Sequence, residues 1–303
     1  MQAADPPATD LWHDWLLGRR LGHDAALEQV VRAKVERYVE RLLDAAALAP
    51  GQRIADIGCG EGVVAWRAFE RVGPTLSALL ADVSAPLLEH ARARAEALGL
   101  AGRCRFLQCP ADELGAVGDA SLDLVTTRAA LAYVADKPRA LREFLRVLAP
   151  GGRLSMAEPV FRDDALTALA LRQRAGAAGA DAFIGLLQRW KAAQFPDSEA
   201  AIAASPIANY SERDLFAFAQ AAGFEAVHLE LHIDLRPAET RSWAAFLATS
   251  PHPWAPTLGQ VMAERFSEAE RALFEQVMRP AVEAGRTETV DRVAYLSARK
   301  PGA

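Results

Sequence analysis

IADIGCGEG, residues 54–62, decides how this chain folds: a β-branched, apolar run ends in an acid and then in glycines at alternate positions. Glycine at 58, 60 and 62 permits positive φ and a close backbone approach to a ligand with no Cβ in the way. The following VVAWRAFERV has a helical pattern, so its first-turn amides point back at the same place. The stretch reads as a nucleotide-handling strand–turn–helix. A G-x-G-x-x-G dinucleotide fingerprint would need glycine at 63, where the chain has Val63, and Asp56 beside the turn would repel a diphosphate.

Outward from this turn the pattern repeats. TLSALLAD ends in Asp82, 24 positions after Gly58, near the roughly 20-residue interval at which such folds place an acid for a ribose diol. VSAPLLEHARARA then reads as a helix, with Val83 placed to pack on a base. A third strand, RCRFLQ, runs into CPADELG, and a fourth, SLDLVTTR, leads to AALAYVADKPRALREFLRVLAPGGRLSMAEP. Residues 141–148 are expected to be helical, Pro150 cannot continue the helix, and Gly151 and Gly152 turn the chain into a fifth strand. Five strands alternating with helices imply a parallel sheet with right-handed crossovers.

The G-x-G-x-G turn preceded by Asp56, the acid at Asp82, the CPADELG segment and the Pro-Gly-Gly turn together resemble the class I S-adenosylmethionine-dependent methyltransferases, with a core like that of the ubiquinone methyltransferases. The resemblance implies an α/β, Rossmann-like fold: a seven-stranded, mostly parallel sheet whose last strand runs antiparallel between the fifth and sixth. It implies S-adenosyl-L-methionine as cofactor and S-adenosyl-L-homocysteine as product. By position, Asp56, Gly58, Cys59 and Gly60 would hold the methionine end and Asp82 the ribose. Val83, Ala111 and Asp112 would contact adenine, and the Arg128 carbonyl would meet the methionine ammonium. Tyr133 falls where many relatives carry a histidine near the transferred methyl, and is the candidate catalytic residue. Cys109 and Pro110 depart from the family's usual Gly-Asp-Ala wording, and Pro110 removes a backbone donor. The implied reaction moves a methyl to oxygen, nitrogen, sulfur or carbon of a small, largely apolar acceptor. An adenosylmethionine-binding protein with regulatory or non-methylating chemistry is the alternative, and a nicotinamide oxidoreductase is disfavoured by Val63 and Asp56.

Composition fits these expectations. The 303 residues are 51% hydrophobic and 24% charged, which supplies one sizeable core. A net charge of −5 disfavours a nucleic-acid partner. No apolar run approaches the ~20 residues of a membrane span, and MQAADPPATD lacks a signal peptide's basic and apolar regions, so a cytoplasmic protein is expected. Three cysteines describe no disulfide framework, and the inferred fold separates Cys104 from Cys59 and Cys109, so no metal site is expected from them.

The remaining segments extend the minimal fold. Residues 1–50 read as a helical amino-terminal segment or lid, with Leu27, Val31, Val35, Val39 and Leu42 on one helical stripe over 24–48. Residues 51–158 form the cofactor-binding core, and 159–303 the rest of the sheet with helical cap insertions near 160–222 and 236–290. In FEAVHLELHIDL, His228, Glu230, His232 and Asp234 alternate with Val227, Leu229, Leu231 and Ile233, the mark of a half-exposed strand. Ser211, Asp214 and Gly223 predict a capped helix. The insertions carry Phe183, Trp190, Phe195, Trp243, Phe246 and Trp254, and the amino-terminal segment adds Trp12 and Trp15. Part of this aromatic content is expected to form cap cores and the rest to line an acceptor pocket. His13, His23 and His252 are further candidates for a proton acceptor.

Overall fold

The structure is a computed structural model that describes residues 10–302. The amino-terminal run MQAADPPAT, read above for a leader signal, lies outside the described residues. Seven strands form one sheet: β1 (Arg53–Ile57), β2 (Ser77–Asp82), β3 (Cys104–Gln108), β4 (Leu122–Arg128), β5 (Leu148–Pro159), β6 (Glu225–Pro237) and β7 (Glu288–Arg299). Their order is β3-β2-β1-β4-β5-β7-β6. The first five pair in parallel, and β7 runs antiparallel to both β5 and β6. The expected seven-stranded sheet with an inverted last strand is therefore observed.

Among the described residues twelve α-helices accompany it: α1 (Leu11–Asp14), α2 (Ala25–Ala45), α3 (Val63–Val72), α4 (Ala85–Ala97), α5 (Lys137–Val147), α6 (Arg162–Ala175), α7 (Ala182–Gln194), α8 (Glu199–Ala204), α9 (Glu212–Ala222), α10 (Trp243–Ala248), α11 (Leu258–Arg265) and α12 (Glu268–Glu283). The central strands are buried along most of their length because both faces are covered. Ala55, Ile57, Leu79 and Val125 pack with α5 and α9 on one side. Ile54, Leu80 and Leu124 pack with α2, α3 and α4 on the other. Strand β6 lies at the sheet's edge and alternates: Val227, Leu229 and Leu231 meet the core, while His228, Glu230 and His232 line the other face.

Two local readings differ from expectation. The helix expected over 141–148 is α5, which starts earlier because Asp136 accepts from the Arg139 amide at 2.9 Å and Pro138 suits a first turn. It ends at Val147, and Leu148 already pairs with Leu122 in the sheet. The β3–β4 connection contains no helix, although strict alternation predicts one. Arg146 instead pins it by donating to the Leu114 and Val117 carbonyls, both at 2.9 Å. The segment before Gly223 holds four helices, α6 to α9, the last with the expected capping box of Ser211 and Asp214 and with Gly223 at φ 102°.

Most aromatic residues of the insertions divide between two satellite cores. Phe183, Trp190, Trp243, Phe246 and the fully buried Phe274 join α7, α10, α11 and α12. Phe195 packs with Ile202 and Ile207 around α6 and α8. No helix among the described residues is long and apolar enough to cross a membrane.

Candidate active site

The glycine turn closes on its neighbours through the backbone. The Gly58 and Cys59 amides donate to the Ala81 carbonyl at 2.7 and 3.0 Å, joining the end of β1 to β2. Gly58 has φ +66°, and a Cβ there would stand 2.2 Å from the Ala130 Cβ. The turn therefore admits only a bare backbone at this point. Gly62, at φ 78°, supplies no side-chain cap to α3. Asp56 does so instead, accepting from the Ala65 amide at 3.2 Å.

Asp82 is held on both oxygens. Oδ2 accepts from the Gly60 amide at 2.8 Å and Oδ1 from the Ser84 amide at 2.9 Å. Each oxygen keeps a further lone pair, so the fixed carboxylate can still accept two hydroxyl protons. Burial pushes its pKa up against these amides, which act to lower it. The Ser84 hydroxyl caps α4 through the Leu87 amide and donates to Asp10 Oδ1 at 2.9 Å, so the amino-terminal segment is tied to the strand end that carries Asp82.

A cavity of ≈ 350 Å³ opens above these strand ends. It brings together Gly58, Gly60, Asp82, Val83, Ala111, Asp112, Arg128 and Tyr133 of the sequence-derived set. Val83 is 43% exposed, so its side chain is free to meet a planar ring. Two members of that set stand elsewhere. Asp56, 1% exposed, turns inward to α3, and Cys59 is buried with its thiol on the Gly60 carbonyl. Neither lines the cavity, because the first turn of α3 has an open amide to satisfy and the Cys59 side chain faces the core. Burial raises Asp56 to about 7, with the Ala65 amide and the Arg128 charge opposing.

Part of the wall comes from the amino-terminal segment. Trp12, Trp15, Leu16 and Arg20 line the cavity, the latter three on or just after a π-helical turn over Trp15–Arg19. The Trp15 indole donates to the Ser250 carbonyl at 3.1 Å, and Arg19 donates to the Ala255 and Pro253 carbonyls at 3.2 and 3.0 Å. These bonds fasten the lid to the second insertion. Tyr133 stands edge-on to Trp12 and Trp254, with ring centroids 5.0 and 5.6 Å away. Burial pushes its pKa above the usual phenol range.

Sequence reasoning missed Glu158. It is fully buried and accepts from the Thr127 hydroxyl and from the Ala130 and Ala132 amides at 3.0 and 3.2 Å. It thereby fixes the loop that presses Ala130 against Gly58 and presents Tyr133. An acid ending an apolar strand was the available signal. The Arg20 side chain, also missed, left no signal in periodicity.

Among the other candidates, His252 is 3% exposed and its Nε2 lies 2.6 Å from the Gln194 carbonyl. Burial lowers it to about 4. His13 lies beside Asp14, with 41% of its side chain exposed. His23 is exposed at φ 54°. Glu230 lies 3.1 Å from both His228 and His232 and also binds Arg41. No metal-ligating cluster occurs among the described residues.

A glycine turn at the end of β1, an acid at the end of β2 and an inverted β7 define a methyltransferase-type nucleotide fold. Comparison with known proteins agrees. Residues 48–198 match the model of a methyltransferase domain family. The ubiquinone/menaquinone biosynthesis C-methyltransferase of Vibrio vulnificus is 36% identical over 122 residues, 39% of this chain and 46% of that protein. Its counterpart in Ectopseudomonas mendocina is 38% identical over 133 residues, 44% of this chain and 52% of that protein. The chain thus spans about half the length of these relatives. The YcgJ protein of Bacillus subtilis shares the fold at a TM-score of 0.56 and 18% identity, covering 88% of this chain and all of that one. The chain belongs to the class I S-adenosylmethionine-dependent methyltransferases.

Proposed function

We propose that the protein transfers a methyl group from S-adenosyl-L-methionine to a small, largely apolar acceptor by in-line displacement. The observation that carries this reading is the ≈ 350 Å³ cavity lined together by the Gly58 turn, Asp82, Trp12, Trp15 and Tyr133. The donor set fits the cofactor: a turn open only to a bare backbone, a carboxylate with two free acceptor sites, and an exposed apolar side chain beside it.

When bound, the sulfonium supplies an electrophilic methyl. Asp82 accepts the ribose hydroxyl protons, Val83 and Ala111 pack on adenine, and Asp112 accepts from its exocyclic amine. Gly58 and Gly60 with the Arg128 carbonyl hold the methionine end. Trp12, Trp15 and Tyr133 exclude water and hold the acceptor in line, and such positioning is able to supply roughly 7 to 11 kcal/mol of a barrier. Tyr133 keeps its proton at neutral pH, because burial raises its pKa. It serves as a wall and a hydroxyl donor, so the reaction relies on position, not on a strong base. Three free cysteines, one buried and two half-buried, suit a reducing, cytoplasmic setting.

The test incubates the purified protein with methyl-labelled cofactor and a cell extract. Label in organic-soluble small molecules is the expected result. Label confined to protein or nucleic acid, or tight cofactor binding with no transfer, overturns the reading.

A further inference from the structure

Strand β6 forms one margin of the sheet, and among the described residues no other strand pairs with its outer edge. A free edge offers its N–H and C=O groups to a further strand unless a bulge, a proline or charge blocks it. In β6 the structural blocks stand only at the ends. A register shift lies between Glu225 and His228, with Ala226 at φ 49°, and Pro237 closes the strand. Val227 to Arg236 runs without glycine, proline or lysine. Ile233 and Leu235, 57% and 62% exposed, are the most exposed large apolar side chains among the described residues. By alternation they share a face with Leu229 and Leu231.

The edge is complementary to itself. In antiparallel pairing with a second copy about a two-fold axis at Leu231, His228 faces the partner's Asp234 and Glu230 faces the partner's His232. Each pair occurs twice by symmetry and sets an imidazole N–H against a carboxylate. On the other face Leu229 meets the partner's Ile233, Val227 meets the partner's Leu235, and Leu231 meets its own counterpart, so the two exposed side chains gain apolar neighbours. Other centres fit worse. One at Glu230 sets His228 on the partner's His232, and one at His232 sets Glu230 on the partner's Asp234, like on like. A centre at Ile233 puts Leu229 against the partner's Pro237, which has no N–H to give. Within one copy Glu230 engages His228 and His232, and Asp234 engages Arg236. A carboxylate has about four acceptor sites, so each acid can take a second donor from across the edge.

We propose that the protein forms a symmetric dimer through β6, which joins the sheets of two copies edge to edge about Leu231. Strands β5 and β7 stand between β6 and β4, the nearest strand that lines the active-site cavity, so the proposal does not depend on the methyltransferase reading.

Sedimentation equilibrium over a range of protein concentrations reads the assembly, and hydrogen exchange at the two ends of that range locates it. A concentration-dependent dimer is expected, with amide protection gained in β6 as it forms. A monomer at every concentration, or a dimer with no gain of protection in β6, overturns the proposal. Charge variants test the register. His228→Glu sets like charges opposite each other at both symmetric positions, as does Asp234→Lys, and each is expected to raise the dissociation constant by about tenfold. The double variant sets glutamate opposite lysine and is expected to restore the dimer. Single variants that dimerise as wild type does, or a double variant no tighter than either single one, overturn the register at Leu231 when thermal unfolding shows the variants folded. Hydrogen exchange of the wild type decides the interface even where a variant fails to fold.

Discussion

Asp82 and Asp112 line the same cavity with different support. Two backbone amides orient Asp82, leaving both oxygens able to accept a hydroxyl, and hydrogen bonds to a charged group contribute about 1.5–3 kcal/mol each. Asp82→Ala is therefore expected to weaken S-adenosylhomocysteine binding more than tenfold, and Asp112→Ala to weaken it less, since one amine contact is lost in place of two. Calorimetry giving the reverse order would place the register through Cys109 and Pro110 in error. Asp56 makes a separate prediction. Its native pKa, raised to about 7 from the usual 3.8, means that the folded state keeps a proton which the unfolded chain releases between pH 4 and 7. Stability is thus lost as pH rises through that window. Asp56→Asn removes the loss, so the melting temperature of the variant relative to wild type should climb from pH 5 to pH 7.5. A pH-independent difference would show that Asp56 is ionised throughout.

Among elements, the amino-terminal segment is held by a few bonds that reach far along the chain. Its π-helical turn is fastened to the second insertion by Trp15 and Arg19, and Asp10 ties its start to Ser84. Hydrogen-bond geometry unusual for a helix often marks a functional site. Arg19→Ala removes two charge-assisted bonds and is expected to speed tryptic cleavage after Arg20 several-fold. S-adenosylhomocysteine should suppress that cleavage. Equal cleavage of variant and wild type would show that the Arg19 bonds do not hold the segment in place. The β3–β4 connection teaches a related lesson. Alternation of strands and helices predicted a helix, but Arg146 and Glu143 of α5 tether that segment as an irregular loop, a contact between residues roughly 30 apart that no local pattern encodes.

For the whole molecule, the sheet's two cores and the cap's own core are separate clusters. Phe274 is fully buried among Phe183, Trp190 and Phe266, with centroids 5.5, 5.9 and 5.7 Å away. Phe274→Ala should cost about 3–5 kcal/mol, and hydrogen exchange should quicken in α7, α11 and α12 while β1, β2 and β4 stay protected. Uniform loss of protection would show that cap and sheet unfold together. The same division bears on the acceptor. Trp12, Trp15 and Tyr133 face the cavity, whereas Trp190, Trp243 and Phe246 fill the cap.

Reading alone recovered what is encoded locally: the glycine turn, the acid one strand later, the capping box of α9 and the alternation of β6. Each depends on backbone conformation, hydrogen bonding or burial within a few residues, so residue type and spacing suffice. The antiparallel place of the last strand between the fifth and sixth came from resemblance, and the sheet's pairing bears it out. Only the tertiary structure decided which side chains meet across the chain. It turned Asp56 away from the cavity to cap α3, set Glu158 under the Tyr133 loop, and brought Arg20 and Arg128 to one cavity. The physical reason is that charge–charge proximity and the filling of an orphan amide depend on distance in space, and chain separations such as Arg20 to Arg128 leave no periodic trace.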